Sequence, residues 1–198
     1  FSRFLNVAAL SNAQMIQYAN IASDAGVPAS TVQNFFEILE DTLLGFRLPP
    51  FLAGKKRKAI ATPKFYFFDI GVTHSITGTK TIDRNSDLFG RSFEHWLTLE
   101  LRAWLSYTRN TDELSYWRSK HDHEVDLVVG DHTAIEIRAA KKITPQHLRG
   151  LHAIAEERKF KKLYLISHDK IAARHGQIEC MHWEQFIEKL WSGEAIPS

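Results

Sequence analysis

The chain has 198 residues, of which 44% are hydrophobic and 24% charged, and its formal net charge at pH 7 is +2. This composition is that of a folded globular protein and excludes an intrinsically disordered chain. No apolar run approaches the roughly 20 residues that a membrane-spanning helix needs. Cys180 is the single cysteine, which excludes an internal disulfide. A lone thiol fits a reducing compartment, so we predict a cytoplasmic protein with no membrane contact.

The first region, residues 1 to about 75, is predicted to be helical and then extended. The chain opens at Phe1 inside a helical pattern, FSRFLNVAAL, and we therefore expect it to be part of a longer protein. Ser11 and Gln14 form a candidate capping box for a second helix. The stretch 21–44 then has the spacing of a helix-turn-helix, in which Gly26 ends the first of the two helices.

Two aromatic-rich strands, around residues 46–51 and 65–68, are predicted to complete a winged helix. The loop between them is basic and contains Lys55, Lys56, Arg57 and Lys58. In the preceding helix, Gln33 and Asn34 could reach DNA bases, whereas nearby acidic residues would repel phosphates. Two interpretations stay open: contact with DNA, chiefly through phosphates on the basic loop, or a packing and interaction module.

The second region, residues 87–198, follows a polar connector at residues 76–86 and alternates between helix and strand. A helix from about Leu88 to Ser106 carries Glu94 on the same face as three leucines, where a carboxylate needs a partner or a function. The later elements are predicted at LSYWRS, HEVDLVV, TAIEIRA, a helix near Thr144, KLYLIS, IECMHW and WEQFIEKLW. The resulting fold class is α/β (α+β), with an α-βββ-α-β core.

The turn between the second and third strands decides whether two carboxylates meet. A two-residue turn would pair Asp126 with Ile135 and move Glu136 to the opposite face of the sheet. A three-residue loop, 130–132, pairs Asp126 with Glu136 and keeps the apolar side chains together on the other face. We therefore predict the three-residue loop. Facing carboxylates repel each other unless a cation lies between them.

These residues resemble a known active-site pattern. Glu94, Asp126 and Glu136-Ile137-Arg138 are similar to the motif of the PD-(D/E)XK, or restriction-endonuclease-like, superfamily. More narrowly, PKFYFFDIGV, GRSFEHWLTLEL, YWRSKHDHEVDLVV and IEIR resemble the C-terminal half of a family of bacterial and archaeal AAA-type ATPases. In that family, a P-loop ATPase precedes a winged helix and a nuclease-like domain of unknown function.

The resemblance implies a set of ligands and a partner. Glu94, Asp126 and Glu136 would bind Mg²⁺ or Mn²⁺, with the carbonyl of Ile137 as a further ligand. The partner would be an N-terminal ATPase domain of the same protein. No Gly-rich phosphate loop occurs in these 198 residues, so nucleotide binding is expected only in that N-terminal part.

Arg138 departs from the superfamily motif, which ends in lysine. Lysine is compact and its pKa can be tuned beside a water, whereas arginine is bulkier, planar and always protonated. On the predicted register Arg138 faces Glu124, which favours an ion pair. The motif's proline is also absent, because Val125 precedes Asp126. Two functions stay open: a metal-dependent phosphodiesterase that includes Arg138 among its catalytic residues, or a non-catalytic regulatory module that keeps the fold. The arginine favours the second.

Two further patterns have both a functional and a structural interpretation. His121 and His123 alternate in a polar turn and could bind a transition metal, although such a turn needs none. The run Tyr116-Trp117-Arg118 could stack on bases. Core packing for Trp117 and a surface or ion-paired position for Arg118 are the simpler interpretations.

Overall fold

A computed structural model describes residues 1–52 and 56–197 and separates the chain into two compact units. Unit 1 consists of Phe1–Leu48 and Thr62–His95, and unit 2 of Pro49–Ala61 and Trp96–Ser198. The predicted connector at 76–86 therefore lies inside unit 1, and the segment after Leu48 belongs with the C-terminal residues. No described helix is both long enough and apolar enough to cross a bilayer.

Unit 1 contains a small antiparallel sheet and four complete helices. In chain order its elements are α1 (Ser2–Leu10), β1 (Gln14–Met15), α2 (Tyr18–Ala25), α3 (Ala29–Asp41), β2 (Gly45–Leu48), β3 (Lys64–Phe67) and α4 (Ile70–Thr77). Strand β3 lies between β1 and β2 and pairs antiparallel with both. The predicted pair of helices and the predicted pair of strands are thus present.

The local signals of unit 1 explain where its helices end. Gly26 ends α2 with a φ of +70°, a left-handed conformation that glycine adopts without strain. Helix α3 buries Val32, Phe36 and Leu39, which are spaced four and three residues apart and so share one face. The predicted helix start at Ser11 is wrong, because Ser11 ends α1.

Unit 2 is built on a six-stranded mixed sheet. Helix α5 (Asp87–Tyr107) begins in unit 1 and is followed by β4 (Leu114–Arg118), β5 (Glu124–Val129), β6 (Thr133–Arg138), a 3₁₀ turn (Pro145–Leu148), α6 (Arg149–Glu157), β7 (Lys162–Ser167), β8 (Ala173–His175), β9 (Ile178–His182) and α7 (Trp183–Trp191). The predicted order of helix, three strands, helix and strand is confirmed, and β8 is an addition.

The sheet has the strand order β4-β5-β6-β7-β9-β8. The first three strands are antiparallel neighbours, whereas β7 runs parallel to β6 and β9. Parallel neighbours need a crossover connection, and α6 supplies it between β6 and β7. The prediction that a helix begins at Thr144 is confirmed in outline: Thr144 and His147 form a capping box, and Pro145 opens the turn.

Helices α6 and α7 cover opposite faces of this sheet. Leu151 and Ile154 of α6 share one buried cluster with Val128 and Ala134. On the other face, the ring of Tyr164 in β7 packs against Phe186 of α7, with centroids 5.8 Å apart. Alternation along β5 and β6 therefore directs Asp126 and Glu136, two residues from Val128 and Ala134, to the α6 face.

Candidate functional site

The loop between β5 and β6 has three residues, as predicted. Val129 pairs with Thr133, and Leu127 pairs with Ile135. Continuing this register by one residue places Asp126 opposite Glu136. The loop begins at Gly130, whose φ of +53° suits a glycine.

Asp126 and Glu136 are buried carboxylates, 3% and 1% exposed respectively. The backbone N–H of Ile137 donates to Asp126 Oδ2 at 2.8 Å. The guanidinium of Arg138 contacts both carboxylates, with Nη1 3.4 Å from Asp126 Oδ2 and Nη2 paired with Glu136 Oε1. Its Nη1 also donates to the carbonyl oxygen of Ile137 at 2.8 Å. We call Asp126, Glu136, Ile137 and Arg138 the Arg138 cluster.

In the Arg138 cluster a guanidinium contacts carboxylate oxygens that a divalent cation would need. A hard cation needs carboxylate and carbonyl oxygens turned towards it. Here one oxygen on each carboxylate and the carbonyl oxygen of Ile137 are contacted by Arg138, whose permanent charge would repel a second cation. Throughout residues 1–52 and 56–197, no group of three or more His, Cys, Asp or Glu side chains is placed to hold a metal ion.

Glu94 lies in the part of α5 that belongs to unit 1, where two side chains of β3 hold its carboxylate. Lys64 Nζ is 3.0 Å from Glu94 Oε1, and the hydroxyl of Tyr66 donates to the same oxygen at 2.6 Å. Alternation places Lys64 and Tyr66 on one face of β3, a signal that the sequence analysis did not use. A metal-ligand role for Glu94 beside Asp126 and Glu136 stays a prediction.

Glu124, the predicted partner of Arg138, is held by another arginine. Arg118 is its direct neighbour across β4 and β5, with Nη1 3.3 Å from Glu124 Oε2 and Nη2 2.9 Å from Asp122 Oδ1. The hydrogen bond from Arg118 lowers the pKa of Asp122. The ion-paired interpretation of Arg118 and the core position of Trp117, which is 0% exposed, are confirmed.

A polar cavity of about 390 Å³ lies beside the Arg138 cluster and is lined entirely by unit 2. Glu136 and Arg138 line it from β6, and Arg149 and Gly150 line it from the start of α6. A Cβ at Gly150 would lie 1.9 Å from the carbonyl oxygen of Glu124, so only glycine lets α6 approach β5 this closely. His147 also lines the cavity, and burial, followed by the charge of Arg138, lowers the pKa of its imidazole.

The basic segment belongs to unit 2 and is not a loop of the N-terminal unit as predicted. Bridges join Pro50 to Tyr116 of β4 and Ala59 to Ser119, the residue after β4. Lys56 and Lys58 are exposed, and Lys55 lies outside the described residues.

The side chain of Arg57 attaches this segment to α6. Its guanidinium pairs with Glu156 and Glu157, each at 2.8 Å. The backbone N–H groups of Lys56 and Arg57 donate to Glu157 Oε2 at 2.5 and 3.1 Å. Burial alone would raise the pKa of Glu157, but these donors and the Arg57 guanidinium outweigh it and lower the pKa. Arg57 is therefore a structural cation, and its predicted contact with nucleic acid has no support in this geometry.

Gln33 and Asn34 are exposed on α3, beside the buried Val32. Their side chains are accessible in unit 1, and base contact by them stays a prediction.

Comparisons with known proteins identify two domain families along the chain. Residues 1–83 match the family described as Domain of unknown function (DUF8612), and residues 89–186 match Domain of unknown function (DUF4143). Uncharacterised proteins of Mycobacterium bovis and Mycobacterium tuberculosis are each 30% identical to this chain over 119 residues, which cover 59% of this chain and 26% of the relative. The chain thus spans about a quarter of the length of these curated relatives. No solved structure matches it.

Proposed function

We propose that this chain is the C-terminal part of an AAA-type ATPase, a winged helix followed by a restriction-endonuclease-like module that does not cleave nucleic acid. The observation that carries the proposal is the double contact of Arg138 with Asp126 and Glu136. Arg138 stands at the position of the motif lysine of the superfamily. Its contacts with both carboxylates hinder a metal from binding there.

The order of elements supports both fold assignments. The run α-βββ-α-β of unit 2 is the order of the superfamily core, and it carries the two carboxylates on adjacent strands. The run α1-β1-α2-α3-β2-β3 of unit 1 supports a winged helix. The curated relatives extend well beyond the matched 26% of their length, which leaves room for an ATPase domain.

The chemistry of Arg138 explains why cleavage is not expected. A water that attacks a phosphodiester must be oriented and deprotonated, usually beside a metal that lowers its pKa. A guanidinium stays protonated at any physiological pH and cannot accept that proton. Moving it away would leave two buried carboxylates uncompensated, which is costly.

Association with DNA through phosphates is the second part of the proposal. It is supported by Lys56 and Lys58, which are exposed on a segment that Arg57 fixes to α6. Lysines on a fixed segment favour sequence-independent contact with the phosphate backbone.

One set of samples tests both parts. The purified chain is mixed with linear DNA and MgCl₂ or MnCl₂, and each sample is split between a native gel for retention and a denaturing gel for cleavage. We expect retention without cleavage. Arg138→Lys should introduce slow, metal-dependent cleavage, because lysine can leave the carboxylates at lower cost and expose them to the metal. Replacing both Lys56 and Lys58 with alanine should reduce retention of all sequences alike.

The matched control for the lysine pair is Lys141→Ala with Lys142→Ala, two exposed lysines elsewhere in unit 2. Equal loss of retention in both pairs would show that only total charge matters. Vigorous magnesium-dependent cleavage by the unaltered chain, abolished by Asp126→Ala, would overturn the proposal of a non-cleaving module.

A further inference from the structure

Unit 1 contains a separate cavity of about 180 Å³, between the end of α1, helix α4 and the first turns of α5. All eleven of its lining residues are described, and none of them is acidic. Arg91 is the one lining side chain with a permanent charge. This cavity is independent of the Arg138 cluster, because its lining lies wholly in unit 1.

Arg91 supplies the guanidinium of this cavity and is only partly buried. Its Nε is buried and has no hydrogen-bond partner in the part of the chain that the structure describes. Buried donors are normally satisfied, and buried cations are normally paired. Because Nε is shielded, an anion in the cavity would be bound by the terminal nitrogens of Arg91, in a wall that contains no acidic residue.

The polar wall around Arg91 is already ordered by its own hydrogen bonds. Ser92 Oγ lies 3.1 Å from His74 Nε2. The backbone N–H of Phe67 donates to the side-chain oxygen of Asn12, which fixes that amide, and Asn12 Nδ2 lies 3.0 Å from His95 Nδ1. Nδ2 carries two hydrogens, and the bond to His95 uses one of them. Burial lowers the pKa of His95, which disfavours a second cation in the wall.

Three threonines, Thr73, Thr77 and Thr79, also line the cavity, and the other lining residues are apolar. Ala9 and Leu10 from α1 and Leu88 from α5 face the same space. A cavity of about 150 Å³ holds benzene, so this one has room for roughly six to eight non-hydrogen atoms. One permanent charge, a polar wall and an apolar wall together select a ligand with one charged end and a short hydrocarbon end.

We infer that the unit 1 cavity binds a small monocarboxylate, with the carboxylate on the guanidinium of Arg91 and the hydrocarbon part against Ala9, Leu10 and Leu88. The planar fork of arginine matches the two oxygens of a carboxylate. Inorganic phosphate, which carries more than one negative charge at neutral pH, would meet only one permanent cation in this wall and has no apolar part to place against the leucines.

Isothermal titration calorimetry on the full chain tests the inference, with isobutyrate and pivalate as carboxylate probes and inorganic phosphate as the comparison. We expect one saturable site per chain for at least one carboxylate, with a Kd on the order of 1 mM, and weaker binding of phosphate. Arg91→Gln should weaken carboxylate binding about tenfold or more, because a charged hydrogen-bond partner is lost. Arg91→Lys should weaken it less, since the charge stays and only the fork is lost. Arg84→Gln, which removes an exposed arginine of the same unit, is the matched control and should change nothing.

A second variant keeps the test decisive if Arg91→Gln fails to fold. Leu88→Trp leaves Arg91 intact and fills the cavity, so it should abolish binding while circular dichroism shows a folded chain. The inference is overturned if the unaltered chain shows no saturable carboxylate binding up to about 20 mM. It is also overturned if binding survives in folded Leu88→Trp, or if phosphate binds as tightly as the carboxylates.

Discussion

Arg138→Ala should destabilise unit 2 strongly, because it leaves two buried carboxylates without their guanidinium. At 3.4 Å from Asp126 Oδ2, an effective dielectric constant near 20 gives a gross attraction of about 5 kcal/mol. Removing one partner of a fully buried ion pair costs about 3–5 kcal/mol. The Arg138 side chain is 39% exposed, so solvent screening reduces the expected loss to about 2–3 kcal/mol. For a chain of this size, that loss lowers the melting temperature by about 4–12 °C.

Differential scanning calorimetry of the variant and its parent measures this loss. Adding Asp126→Asn and Glu136→Gln to Arg138→Ala should recover most of it, because the uncompensated charges are then gone. Manganese should raise the melting temperature of Arg138→Ala but not of the parent, since only the variant leaves the carboxylates open to a hard cation. Arg149→Ala removes an exposed arginine from the wall of the same cavity and is the matched control. An Arg138→Ala chain with the same melting temperature as its parent would refute the view that the pairing of Arg138 with the two carboxylates stabilises the fold. If the two amide substitutions do not recover the lost stability, the loss comes from the packing of the Arg138 side chain and not from its charge.

Two further predictions concern contacts of α6. Glu157→Gln should lower the free energy of unfolding by about 1–2 kcal/mol at pH 7. The folded-state pKa of Glu157 lies below its ordinary 4.5, so the ionised carboxylate stabilises the fold above pH 4.5. Urea unfolding at several pH values should show that the stability difference from the parent shrinks as the pH falls below 4.5. The same pH series on Glu188→Gln, an exposed glutamate of α7, is the control, and a Glu157→Gln difference that persists undiminished at pH 3 would contradict the linkage. Gly150→Ala should destabilise the folded chain by about 1–3 kcal/mol or more, because its Cβ would overlap the backbone of Glu124. Gly90→Ala is the control: a Cβ there meets nothing within 4 Å, so it should be neutral or stabilising in the same unfolding assay.

The hairpin of the candidate site could be predicted from sequence because its determinants are local. Alternation along β5 and β6 assigns each side chain to a face, and only a three-residue loop puts the apolar sets on the same face. The pairing of Val129 with Thr133 confirms this. The closing helix was predicted at the residues where α7 occurs, Trp183–Trp191, because its apolar spacing is continuous and strongly one-sided.

The partners of the charged residues could not be predicted, because they depend on register and contacts between distant segments. Arg118 reaches Glu124 through the pairing of β4 with β5, and that pairing shifts register between Ser115 and Trp117. A β-bulge of this kind changes which residues face each other without a clear local signal. The attachment of Arg57 to Glu157 spans 100 residues of sequence. In both cases the residue type indicates a charged side chain that needs a partner, but the tertiary fold determines which partner it has.

Two arginines of unit 2 pair with the carboxylates of β5 and β6 that point to the α6 face. Three carboxylates of β5 and β6 point to this face, and each is held by a guanidinium within unit 2: Glu124 by Arg118, and Asp126 and Glu136 by Arg138. The start of α6 adds to this, because an ideal Cβ at Gly150 would lie 3.4 Å from Glu136 Oε2, and the positive end of a helix favours a nearby carboxylate. A divalent cation would have to displace Arg138 from both carboxylates. We therefore expect metal binding at Asp126 and Glu136 only in variants that change residue 138.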